Sequence, residues 1–153
     1  MHHFVLMTGK QIGRYLRYRL AFERLDEALL EGWLLEAISL EESIISDRLL
    51  SVLKAYKADV PERQGLGNLI AQTKKAITGS GSMIDEDIFT ELDQWRNDRN
   101  ECVHGFCKLD DLAYVDNSAE IFGEKMWTTA NRGRVLVDMV NDISRKAKKE
   151  LGK

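Results

Sequence analysis

One proline in 153 residues, Pro61, leaves the chain with almost nothing to break a helix. Alternating β-branched runs are scarce as well, whereas Leu, Glu, Lys, Arg and Ala are abundant, so the composition predicts an all-α fold. Only two cysteines are present, Cys102 and Cys107, with no second pair and three histidines in all. That spacing excludes a disulfide framework and gives no zinc-site pattern; it fits reduced thiols in a cytoplasmic protein. No apolar run approaches the ~18 residues of a membrane span, and no charged start leads into an apolar leader. A glycine-rich phosphate loop is missing too. With a net charge of −3, the chain is not one that coats nucleic acid through bulk positive charge, though a local cationic groove is compatible with it.

What remains, 44% hydrophobic and 31% charged residues, is the make-up of an ordinary globule large enough to bury a core without staples. Residues 1–153 read as a single helical domain, with 1–8, opening Met1-His2-His3, as a disordered or tag-derived start. Residues 9–24 carry five basic side chains against one acid, interleaved with Tyr15, Tyr18 and Phe22. They read either as a strip that contacts RNA phosphates and bases or as an amphipathic element whose arginines are solvated. Residues 25–56 predict a long helix interrupted only by Gly32. Its apolar stripe runs through Leu34, Ile38, Ile45, Leu49 and Val52, with Glu41 in the middle. A buried carboxylate there requires a partner, and Arg48, one heptad on, is the nearest in sequence.

Residues 57–64 predict a loop, 66–78 a third helix and 79–82 a flexible break. Asp85 is a natural N-cap for a fourth helix running to Gly105. Residues 106–117 read as a connection, a short hairpin or an irregular flap, and 118–153 as a final long helix with Gly123 and Gly133 as candidate breaks. The expected architecture is therefore a compact bundle of four to five helices, two of them long.

The end of the fourth helix holds the chemistry. His104 is the sole histidine outside the first three residues, and its unperturbed pKa of roughly 6.5 suits proton transfer near neutrality. On a helical projection Leu92, Trp95, Arg99, Cys102 and Val103 share one face, while Asp93, Asn97, Asn100 and His104 share the other, with Arg96 between. An arginine on the apolar face requires an anion, so Glu41 is expected to pair with Arg99 and to pack the second and fourth helices together. Cys102 lies on the packing face and reads as a small hydrophobe.

The hexad Arg99-Asn100-Glu101-Cys102-Val103-His104 has the form R-N-x-x-x-H. It resembles the signature of the HEPN superfamily (higher-eukaryote and prokaryote nucleotide-binding), helical bundles of which many are metal-independent ribonucleases. The resemblance implies a homodimer whose two arginines and two histidines line one cleft and cleave RNA without any cofactor. In that scheme His104 transfers protons, Arg99 stabilises the phosphorane, and Asn100 matches the polar residue that often follows the arginine. Arg96 and Asn97 lie outside the hexad and are added from the helical projection as phosphate contacts. The resemblance further implies a toxin or host-defence role in the cytoplasm, with an antitoxin or nucleotidyltransferase as partner. Phe106 stands where some of the family's toxins carry a modifiable tyrosine, which argues against regulation by that route. The competing reading is a non-catalytic module that uses the same groove to hold a nucleotide, an RNA or a protein.

Overall fold

The computed structural model describes residues 8–57, 59–105 and 118–152. Five helices account for nearly all of them, α1 (Gly9–Glu31), α2 (Leu34–Tyr56), α3 (Leu66–Gly79), α4 (Asp87–Gly105) and α5 (Ser118–Glu150), and no strand occurs among the described residues. The all-α bundle is as expected. The segment 106–117, read as a hairpin or flap, lies outside the described residues, as do 1–7.

Helix α1 opens with a capping box: Thr8 Oγ1 accepts from Gln11 N at 3.3 Å and Gln11 Oε1 accepts from Thr8 N at 2.7 Å. Two amide donors are thereby satisfied, which offsets the helix-weakening Gly9 and Gly13. At its other end the expectation of one helix over 25–56 is corrected. Gly32 sits in the left-handed region at φ 77, and the chain folds back there instead of continuing. Arg24 meets Glu36 at 2.6 Å and Arg14 meets Asp47 at 3.3 Å, so α1 and α2 form an antiparallel hairpin.

Helices α2 and α5 make the broadest helix–helix contact of the bundle. The α2 stripe of Ile38, Ile45, Leu49 and Val52 is buried in the same cluster as Leu136, Val137, Val140 and Ala147 of α5. Helix α5 runs unbroken through both Gly123 and Gly133. Helix α4 is started by Asp85, whose Oδ1 accepts from Asp87 N at 3.0 Å, and runs antiparallel to α5. Trp95 reaches Thr129 near the middle of this contact, and Gly105 lies beside Phe122 at its end. Helix α3 lies against α4 with Gly67 under Arg96 and Thr78 bonded to Glu86. No described helix is long and apolar enough to cross a membrane.

Candidate functional site

The guanidinium of Arg99 turns into the bundle as the projection requires, and its side chain is only 15% exposed. Its partner, however, is Glu42 on α2, bonded through Arg99 Nη2, and the predicted Glu41–Arg99 pair does not form. The reason is one helical step. Adjacent residues differ by about 100° in direction, so Glu42 looks toward α4 while Glu41 looks toward α5. Arg99 Nε is left buried without a hydrogen-bond partner.

Glu41 is fully buried, and neither carboxyl oxygen has a hydrogen-bond partner among the described residues. Arg48 does not reach it, being engaged by Tyr18 and Asp47. Burial pushes the Glu41 carboxyl up to about 9, against the opposing pull of the Arg134 charge, so it is held neutral at pH 7. It fits only because residue 133 has no side chain. A Cβ on Gly133 would lie 1.6 Å from Glu41 Oε2 and 2.8 Å from Trp95 Nε1. The same crossing places Trp95, whose Nε1 donates to Thr129 O at 2.9 Å.

The remaining sequence-predicted residues spread around α4. His104 and Asn97 are exposed, and Asn100 is half-buried. Arg96, 30% exposed, is held by Asp93 at 3.0 Å, with its guanidinium over Gly67. Asn97 lines a cleft of about 370 Å³ between α3 and α4 together with Lys74, Thr90 and Gln94. So Arg96 and Asn97 face α3, Arg99 faces α2, and His104 faces outward at the α4 terminus. Neither this cleft nor the groove between α1 and α2 is lined by Arg99 or His104. Cys102 is buried, and burial raises its thiol above the ordinary range, which makes it unreactive. Among the described residues no group of His, Cys, Asp and Glu is arranged to hold a metal ion.

The end of the bundle where α4 finishes and α5 begins carries exposed apolar side chains. Val103 is 42% exposed on α4, and Ile121 and Trp127 are exposed on the first turns of α5, which Lys125–Glu101 ties to the end of α4. Sequence reasoning missed Glu42 and Gly133. Glu42 was legible only as the neighbour of Glu41, and Gly133 only as a candidate helix break, since nothing local says which helix faces which. Comparison of the chain with known family models, with curated proteins and with solved structures returns no match.

Proposed function

We propose that the chain is a metal-independent endoribonuclease of the HEPN type, of the toxin or host-defence kind, acting as a homodimer in the cytoplasm. What supports the reading is the placing of Arg99 and His104 on one helix: Glu42 holds the Arg99 guanidinium, and His104 stands in solvent five residues on. A guanidinium fixed by one carboxylate is a preorganised cation for a phosphate oxygen. In the proposed reaction His104 takes the proton of an RNA 2′-hydroxyl. The 2′-oxygen attacks the adjacent phosphorus and forms a 2′,3′-cyclic phosphate, and the departing 5′-oxygen takes a proton from an imidazolium. Two histidines brought together by two-fold symmetry would serve as base and acid, and the exposed Val103, Ile121 and Trp127 give the apolar surface for such a contact. In this reading Asn100, half-buried on α4, and Arg96 and Asn97, on the α3 side of it, are the further polar groups that would meet substrate.

A second reading, a non-catalytic nucleotide-, RNA- or protein-binding module, draws on a different observation. Arg99 is largely covered and already paired within one copy. The experiment that separates the two is incubation of wild-type and His104→Ala protein with total RNA in EDTA, reading fragments and end chemistry. Cleavage by the wild type leaving cyclic-phosphate or 3′-phosphate ends, reduced by about 10²-fold or more in the variant, is the expected result. RNA bound but left intact by both proteins would replace the ribonuclease with the binding module.

A further inference from the structure

A concave feature larger than the α3–α4 cleft lies away from the α4 terminus, between α1 and α2. It is an open groove of about 920 Å³. Four cations line it, Lys10, Arg14 and Arg17 from α1 and Lys54 from α2, against a single carboxylate, Asp47. In a chain of net charge −3 that is a concentration of the minority sign. The one acid is also largely spent. Tyr18 donates its hydroxyl to Asp47, Arg14 and Arg48 bridge to it, and these contacts hold its carboxyl below the ordinary range although burial pushes the other way. Lys10 and Arg17 have no ion pair among the described residues. Lys54 meets only the exposed Glu62, at 3.1 Å, and a surface pair of that kind holds a side chain weakly. Ser43 and Ser51, two turns apart on the α2 wall, add hydroxyls that donate no hydrogen bond within the described structure.

From this we infer that the α1–α2 groove binds the phosphodiester backbone of a single-stranded nucleic acid, at a site separate from His104. Three features select that ligand. First, the cations are strung out, not convergent: Lys10 to Arg17 covers about 10 Å of helix axis at 1.5 Å per residue, which suits successive phosphates better than one compact anion. Second, the groove is open to solvent, not an enclosed cavity, as a polymer requires. Third, the cations face a concave wall that carries serine hydroxyls. A flat anionic membrane would instead lie on the outer face of α1, where Ile12, Leu16 and Leu20 are exposed, and could not reach into the cleft. This inference does not depend on any chemistry at His104.

The test is binding of a labelled oligouridine 12-mer, and of the matching oligodeoxyuridine, to the full chain across a salt series. The proteins are wild type, Lys10→Glu/Arg17→Glu and, as a control on another face, Lys75→Glu. Lys10 and Arg17 are exposed and unpaired, and a glutamate in the first turn of α1 suits the helix dipole, so the double variant should fold. The expected result is comparable binding of both oligomers by wild type and Lys75→Glu. The double variant should bind at least about tenfold more weakly, and its slope of log affinity against log salt should be shallower by about 1.4, two contacts at ~0.7 each. Two outcomes would overturn the inference: a folded double variant that binds as the wild type does, or wild-type protein that ignores both oligomers, whether or not it binds anionic phosphatidylserine vesicles. Intact RNA bound in the groove but never cleaved would sink the ribonuclease reading and leave this one standing.

Discussion

A neutral carboxylic acid at the centre of a helical bundle has measurable consequences at the scale of single residues. Glu41 has an ordinary pKa of 4.5 in the open chain and about 9 when folded. Below pH 4.5 the group is protonated in both states and burial carries no charge penalty. Between 4.5 and 9 the unfolded chain ionises while the folded one does not, so this residue withdraws stability as pH rises, and the loss levels off above 9. Glu41→Gln removes the titration. The variant's melting temperature, taken relative to wild type, should climb steadily from pH 5 to pH 8.5, and a constant difference across that range would refute the buried neutral acid. Gly133 offers a second check at the same crossing. In an open helix Gly→Ala gains about 1 kcal/mol, but here the added methyl collides with Glu41 and Trp95. Gly133→Ala should therefore cost about 1–3 kcal/mol in denaturant unfolding. Much of that should return in the Glu41→Ala background, where the nearest clashing atom is gone. Additive single-mutant effects would show that the two residues do not share the space.

At the scale of elements, the turn at Gly32 decides the topology. Its φ of 77 costs an alanine about 1 kcal/mol or more. Gly32→Ala is expected to lower stability by that amount while leaving helix content by circular dichroism unchanged, because α1 and α2 retain their own propensity and packing. The arms of the hairpin explain why a single long helix over 25–56 was the natural sequence reading. Leu25 and Ala28 before the turn and Ala37 and Ile38 after it are all fully buried, so the apolar pattern is similar on both sides of the glycine. Periodicity records which face is buried and is blind to a reversal between two buried faces. The capping box at Thr8 and Gln11, a short-range signal, goes unread when residues 1–8 are taken as a disordered start, and the structure corrects that boundary at Thr8. It shows why residues carrying two glycines still begin a helix.

For the whole molecule, two surfaces remain without a partner. One is the end of the bundle where α4 finishes and α5 begins, with Val103, Ile121, Trp127 and His104 exposed. If two copies join there, sedimentation or light scattering should report a dimer, and a charged residue at Trp127 or Val103 should dissociate it and lower any ribonuclease activity in step. A dimer that survives Trp127→Asp and Val103→Asp together would place the contact elsewhere. The other is the cationic groove between α1 and α2, with its own salt-dependent readout.

The division between what the chain spelled out and what only folding decided follows from the range of each signal. Helix class, the α3 and α4 spans, the burial of Cys102 and the inward turn of Arg99 all follow from spacing within one segment, and spacing is local. The partner of Arg99 depended instead on how α2 is rotated against α4, and a step of one residue, about 100°, exchanged Glu41 for Glu42. The role of Gly133 depended on the approach of α2 and α4 to one point on α5. The groove depended on folding α1 back onto α2, which brought Lys54 opposite arginines more than thirty residues away. Local pattern determines which side chains leave water; helix rotation and approach, summed over the whole core, determine which of them meet.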